Sequence, residues 1–239
     1  MKLILTNDDG IDAPGLRALE SALQGLGSLI VVAPKHPQSG VGHQVTTQSP
    51  IRVDELESSR FRVAGTPADC ARIALTQIAP DAAWLLAGIN EGANLGADVY
   101  TSGTVAAARE ATLLGCRAIA VSQYVAKNRP IDWDLTARLV APILHALLSH
   151  PLKPGDLLNV NFPHLTEHHT GMEVVFCPLD TRPHGVRYRR DGGHLTYAGD
   201  YHARPRQRGR DVDVCLGGNI AVTPIPLDVT SKGLEETKP

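Results

Sequence analysis

Two carboxylates stand side by side in Asn7-Asp8-Asp9-Gly10, directly after the short apolar run Leu3 to Thr6. Adjacent carboxylates at a strand end can supply oxygen ligands to a hard cation such as Mg²⁺ or Mn²⁺, which prefers carboxylate, carbonyl and water oxygens. The same four residues are also favoured turn formers, and an Asp can cap a following helix, so the run alone fits either reading.

Four more polar segments carry comparable residue types. Pro34 to His43 holds Ser39, Gly40, Gly42 and His43, where a hydroxyl could complete a metal shell or the Gly-rich backbone could approach an anion. Gly88 to Gly96 holds Asn90 and Asn94, which offer neutral amide oxygens. Ser102-Gly103-Thr104 opens a helical stretch, and a helix N-terminus presents unpaired N–H groups and partial positive charge to an anion. Ser102 and Thr104 are also sound N-caps, a role compatible with phosphate binding. In Gly65-Thr66-Pro67-Ala68-Asp69-Cys70, Thr66 or Asp69 could face the same site, although Pro67 in a first helical turn explains the run structurally. Neither a Walker A loop nor a G-x-G-x-x-G after the first strand is present.

These segments need elements to hold them, and the apolar periodicity supplies such elements. Leu3 to Thr6, Leu29 to Ala33, Ala83 to Ala87, Ala118 to Val121 and Leu157 to Asn161 read as nearly uninterrupted apolar strands. Helices are predicted over Pro14 to Gln24, Pro67 to Ile78, Thr104 to Leu114 and Trp133 to Leu148; in the first, Leu16, Leu19 and Leu23 recur every three or four residues. Buried strands alternating with helices imply a parallel sheet covered on both faces, where ligands bind beyond the carboxyl ends of the strands. All the polar segments above follow predicted strands or open helices at that end.

After about Pro163 the alternation stops. Short β-like stretches follow at Glu173 to Cys177, Val186 to Tyr188, Leu195 to Tyr197 and Ile220 to Thr223. Eight arginines lie between Arg182 and Arg210, interleaved with acids and tyrosines around a predicted hairpin turn at Asp191-Gly192-Gly193. The expected division is a core over residues 1–163 and a C-terminal extension over 164–239.

Composition excludes several classes. With 239 residues, 43% apolar and 20% charged, the chain can bury a proper core, and disorder is not the default. A net charge of −2 offers no global field for nucleic acid or an anionic membrane, and the acids among the arginines favour a solvated or subunit-contacting hairpin. Cys70, Cys116, Cys177 and Cys215 stand far apart and are expected to be buried free thiols. The start of the chain is too short in apolar residues for a signal peptide, and no run approaches the roughly 20 residues of a membrane span. Cytoplasmic residence is the expectation. His168-His169 is assigned no role.

Taken together, Asn7-Asp8-Asp9-Gly10, Ala33-Pro34 with Ser39-Gly40, Gly65 to Cys70, Gly88-Ile89-Asn90 with Asn94-Leu95-Gly96, and Ser102-Gly103-Thr104-Val105 resemble the SurE (survival protein E) family of nucleotidases. The motifs follow the family's order over roughly residues 1–125, with a looser match to Thr223-Pro224 and Leu227-Asp228. Departures fall at Ala87, where Ser is usual, at Thr101, where Tyr often stands, and at Arg210, where Thr is common.

The resemblance implies an α/β fold with a Rossmann-like, mostly parallel sheet, helices on both faces and a C-terminal β-hairpin arm. It implies a phosphatase dependent on one divalent metal ion per subunit, Mg²⁺ or Mn²⁺, that hydrolyses nucleoside monophosphates as a 5'-nucleotidase, with 3'-nucleotidase and short-polyphosphate activity in some members. It implies a homodimer or homotetramer held partly by the arm. The family's metal ligands fall on Asp8, Asp9, Ser39 and Asn90, and its phosphate-facing residues on Asn94, Ser102, Gly103 and Thr104. Asp8 or Asp9 is the expected catalytic carboxylate, either as the base that takes the proton of the attacking water or by direct attack on phosphorus. The competing expectation is a nucleotide-binding module that uses the same loops without turnover.

Overall fold

The computed structural model describes residues 1–167, 171–182 and 185–230. The chain runs β1 (Lys2–Thr6), α1 (Pro14–Ala22), β2 (Ser28–Pro34), β3 (Val53–Glu57), β4 (Arg60–Val63), α2 (Pro67–Ile73), β5 (Trp84–Glu91), α3 (Gly103–Leu113), β6 (Arg117–Gln123), α4 (Trp133–Leu148), β7 (Asp156–Phe162), β8 (Val174–Phe176), β9 (Tyr188–Asp191), β10 (His194–Tyr197), α5 (Asp211–Leu216) and β11 (Ile220–Pro226). His168-His169 lies outside the described residues.

Nine strands form one sheet in the order β3-β4-β2-β1-β5-β6-β7-β11-β8. β4, β2, β1, β5, β6 and β7 are mutually parallel, while β3 and β11 run antiparallel to β4 and β7 at the two sides. The six parallel strands have the doubly wound Rossmann order, and the winding reverses between β1 and β5. The loops after β1 and β5 therefore open on the crevice where such folds bind ligands.

Strand alternation sorts the apolar side chains between two cores. Leu3 and Leu5 of β1, with Leu86 of β5, face α1 and α4 and meet Leu16, Leu19, Leu23, Val140 and Leu144. Ile4, Leu85 and Ala87 face α2 and α3 and meet Ala71, Val105, Ala107 and Ala111. The small residues on α2 and α3 let both helices lie close to the sheet, which brings their N-termini near the end of β1. Each fully buried Leu contributes roughly 1.5–3 kcal/mol, so these cores rather than any staple hold the strand ends in register.

Element boundaries differ from expectation in places with evident causes. α1 ends at Ala22, before Gln24, and its N-cap is Ala13 without a side-chain bond; Pro14 supplies the start. The predicted helix over Pro67 to Ile78 divides into α2 and a wider π-type turn, Ala74–Ile78. The hairpin β3–β4 and the short helix α5 were not predicted: β3 is largely exposed and reads Val-Asp-Glu-Leu-Glu, so it has no apolar run to announce it. The predicted turn after Asp191 does join β9 to β10, which form a separate exposed two-stranded ribbon. Cys70, Cys177 and Cys215 are buried free thiols as expected, but Cys116 is only half-buried, because it sits in the turn just before β6.

Candidate functional site

The site starts where β1 ends. Asn7 Nδ2 donates to the Gly10 carbonyl at 2.8 Å, closing a turn that presents Asp8 and Asp9 at the β1/β5 reversal. Asp8 is 5% exposed. Its carbonyl accepts the Gln38 amide at 2.7 Å, which ties the loop after β2 to the loop after β1. The Thr104 hydroxyl donates to Asp8 Oδ1.

The approach of α3 to Asp8 depends on Gly103. A Cβ there would lie 2.9 Å from both Asp8 Cβ and Oδ2 and 3.1 Å from Pro67 Cγ, so only glycine lets the first turn of α3 rest on the carboxylate. Ser102 caps α3 by accepting the Val105 amide at 3.1 Å. The first turn thus meets the carboxylate with backbone N–H groups, as an anion-binding helix end does.

Both carboxylates hold their protons more tightly than usual. Burial pushes Asp8 up, and the Thr104 hydroxyl with the nearby backbone amides pulls the other way. Asp9 is pushed up to about 6, first by burial and then by the Asp8 charge; the Glu91 amide, 3.4 Å from Oδ2, offsets part of this. Among the described residues no Lys, Arg or His forms an ion pair with either one. Two adjacent partly buried carboxylates without a protein cation suit a positive ligand.

Ser39 follows Gln38 in the bonded loop and is exposed. Asn90 stands at the end of β5, with Nδ2 donating to the Gly92 carbonyl at 2.6 Å. Asn94 is buried in a polar network: its amide N–H donates to Asn161 Oδ1 at 2.7 Å, its Nδ2 to Ser122 Oγ at 2.8 Å, and its carbonyl accepts from Asn159 at 2.8 Å and Asn161 at 3.2 Å. Asn90, Ser122 and Asn161 occupy one row across β5, β6 and β7. Sequence reasoning passed over Ser122, Asn159 and Asn161; the signal was available in polar residues two apart on a strand otherwise apolar enough to be buried.

A second network was also missed. Glu110 on α3, 3% exposed, accepts from Arg72 Nε at 2.5 Å and lies 2.7 Å from His43 Nε2. With Gly42 N–H donating to the Thr101 carbonyl at 3.1 Å, it fastens the Ser39 loop to α3. Thr66 and Asp69, by contrast, form a reciprocal cap at the start of α2, and both Asp69 oxygens also bind Thr46, which makes them structural.

The chain matches the family described as Survival protein SurE over residues 3–184. It belongs to the SurE family. A Nostoc sp. relative is 52% identical over 223 residues, covering 93% of this chain and 98% of that protein. The Mesorhizobium japonicum protein named 5'-nucleotidase SurE is 39% identical over 245 residues, covering 99% and 97%. The crystal structure of the SurE protein from Aquifex aeolicus superposes with a TM-score of 0.84 at 34% identity, covering 97% of this chain and 95% of that one.

The SurE family implies a divalent metal, and the donor set here fits one. Among the described residues no three His, Cys, Asp or Glu cluster together, so a cation at this site would take the two carboxylates with neutral oxygens, a set suited to a hard ion. Asn7 Oδ1, next to Asp8, is buried with no hydrogen-bond partner. No helix among the described residues is long and apolar enough to cross a membrane.

Proposed function

We propose that the chain is a divalent-metal-dependent phosphatase that hydrolyses nucleoside monophosphates, a 5'-nucleotidase of the phosphoric monoester hydrolase class. The observation that carries this reading is the contact of the α3 N-terminus with Asp8 through Gly103, which puts an anion-binding helix end against a carboxylate pair that no Lys, Arg or His among the described residues pairs with. A phosphoryl group bridging a cation and a helix N-terminus needs that juxtaposition.

In this reading Asp8, Asp9, Ser39 and Asn90 hold one Mg²⁺ or Mn²⁺ ion per subunit. When bound, that ion neutralises charge on the phosphoryl group and acidifies water. The residues of the chain do the rest. The hydroxyl proton of Ser102 binds a phosphate oxygen, and the first turn at Gly103 and Thr104, whose amides lie against Asp8, keeps the phosphate beside that carboxylate. The second N–H of the Asn94 amide joins the Ser102 hydroxyl, its first being held by Ser122. Asp8 Oδ1 is engaged by Thr104, so Asp9 is the carboxylate that takes the proton of the attacking water. The same donors would accept the terminal phosphate of a short polyphosphate or of a 3'-nucleotide.

Residues 164–239 are read as an extension that joins subunits into a homodimer or homotetramer. Val186, Tyr188, Leu195 and Tyr197 are exposed on and beside the β9–β10 ribbon, as a surface awaiting a second copy would be. A nucleic-acid role is disfavoured, since Arg182 and Arg204 pair with Asp180 and Asp98 and Arg210 donates to the Leu179 carbonyl. Cytoplasmic residence goes with the free thiols.

Phosphate release by metal-stripped protein, from AMP, 3'-AMP and tripolyphosphate before and after Mn²⁺ or Mg²⁺, tests the reading. Release only with metal, lost in Asp8→Asn, is expected. Silence across the panel with nucleotide binding retained would leave a binding module instead.

A further inference from the structure

A cavity of about 550 Å³ lies on the α2 side of the β3–β4 hairpin, lined by Ile51, Val53, Phe61, Ile73 and Ile78 among others. It shares no residue with the carboxylate site. We propose that it is a second ligand site and that it takes a small organic cation, an ammonium group carried on an apolar body. The proposal stands on this cavity alone and does not rest on the phosphatase reading.

The size and surface are those of a small-molecule site, which occupies roughly 300–1,000 Å³ and is lined mostly by apolar side chains with a few polar groups. Ile51, Phe61, Ile73 and Ile78 pack against the core between the sheet and α2, yet each is only half-buried. Val53 beside them is 40% exposed. Branched and aromatic side chains thus meet solvent together on one concave face, unlike the apolar residues scattered singly over ordinary surface.

The backbone departs from a regular helix to build that face. Ala79 N–H donates to the Ala74 carbonyl at 2.7 Å, the five-residue closure of the π-type turn Ala74–Ile78. At 3.6 residues per turn, side chains five positions apart stand about 140° apart around a helix, which would point Ile73 and Ile78 to different sides. The wider turn swings Ile78 back towards Ile73, and both line the cavity with Gln77. Such turns are rare and recur at functional sites.

Strand alternation decides the sign of the occupant. Glu55 lies opposite Phe61 in the hairpin register and lines the cavity. Arg52 and Arg62 pair with Asp54 instead, and Arg60 with Glu20 on α1, which covers the other face of the sheet. Among the described residues no Lys, Arg or His pairs with Glu55, so the cavity wall carries an unpaired carboxylate and no cation. A phosphate or carboxylate ligand is repelled there. An ammonium group pairs with Glu55 while its apolar body lies on Phe61 and the isoleucines.

The test titrates the full chain at low salt with 4-phenylbutylamine, 4-phenylbutanol and 4-phenylbutanoate, which share an apolar body and differ in charge. Binding is followed by ¹H–¹⁵N correlation spectra, with shifts expected at the amides of Glu55, Phe61 and Gln77. The amine should bind about two- to fivefold tighter than the alcohol, as an exposed ion pair supports, and the carboxylate weakest. Glu55→Gln should erase the preference for the amine and keep the alcohol. Val53→Trp, at an exposed position, should fill the cavity and remove binding of all three. Equal affinities for the three compounds in the wild type, no binding by any of them, or amine binding retained in Val53→Trp would each overturn the proposal. So would a smaller oligomer of Val53→Trp in sedimentation, which would make a second copy the occupant of the groove.

Discussion

Gly103→Ala adds a single methyl group at the point where α3 meets Asp8, and its effects on stability and activity should separate. The new Cβ would stand 2.9 Å from Asp8 Cβ and Oδ2 and 3.1 Å from Pro67 Cγ. Carbon atoms pack at about 3.5–4.0 Å, so the helix end and the carboxylate must part by roughly 0.5–1 Å. Overpacking of this kind costs about 1–3 kcal/mol, while replacing Gly by Ala in a helix returns about 1 kcal/mol. The net loss is about 0–2 kcal/mol, a fall in melting temperature of no more than about 8 °C for a chain this size. A misplacement near 1 Å at reacting groups can cost about 100-fold in rate. The expected result is kcat/KM for AMP down about 100-fold with a modest thermal shift, measured on the same preparation by phosphate release and scanning calorimetry. Activity within threefold of wild type would refute the claim that the Gly103 contact sets the site.

Other perturbations probe its neighbours. Asp9, pushed up to about 6, and Asp8, also raised by burial, must lose their protons to bind a cation, so Mn²⁺ affinity measured by EPR titration should rise by at least about tenfold per pH unit below 6. The same raised value stabilises the metal-free fold at acid pH and gives that stability up as pH rises through about 6, so added Mn²⁺ should raise the melting temperature more at pH 7.5 than at pH 5; a pH-independent increment would contradict this. Cys116 is pushed up to about 11 by burial, a preference for the neutral thiol that holds below its ordinary range and disappears as pH rises through about 11. At pH 8 about one molecule in a thousand carries the thiolate, so native protein should label slowly with thiol reagents and rapid stoichiometric labelling would count against the placement. His43→Ala, which loosens the tie between the Ser39 loop and Glu110, should weaken Mn²⁺ binding in the wild-type background and much less in Ser39→Ala; strict additivity would mean that His43 does not act through that loop.

The parallel core was legible because its strands are apolar on both faces and its helices carry Leu or Ala at helical spacing. Leu3, Ile4 and Leu5 announce a strand buried on two sides, and Leu16, Leu19 and Leu23 announce the helix that covers one of them. What escaped notice was polar or short. β4 completes the six-strand order, yet Arg60-Phe61-Arg62-Val63 alternates charge with apolar residues because it lies toward an edge, and Val53 to Glu57 beyond it is mostly charged. α5 spans six residues, Asp211–Leu216, too few to show a period. At the site, Asp8, Asp9, Ser102 and Thr104 could be picked out because adjacent carboxylates and a cap followed by Ala-rich helix are local patterns. The contact of Thr104 with Asp8 joins residues 96 positions apart, and spacing within one sequence does not encode such a distance. The roles of Glu110, Asn159 and Asn161 were hidden for the same reason, since each partner comes from another element.

Those asparagines also explain why the loop after β5 can be precise without being apolar. Asn159 and Asn161 sit on a fully buried face of β7, where leucine would contribute more to stability through burial alone. Instead their side chains close bonds to the backbone of Asn94, a residue in the loop after a strand two places away. An apolar contact would hold that loop near the sheet but leave it free to slide, whereas two directional bonds to one carbonyl and one to its amide fix both its height and its rotation. Asp211 does the same one turn further on, accepting the Gly96 amide at 2.6 Å from a buried position in α5. Tyr201 and Arg204 complete the set by bonding Asp98. The segment from Asn94 to Asp98 is thus anchored by three separate parts of the C-terminal half, all after β6. The last strands and the arm-bearing region therefore bear on the site without supplying a carboxylate to it: they hold the loop that leads into Ser102, and through it the start of α3.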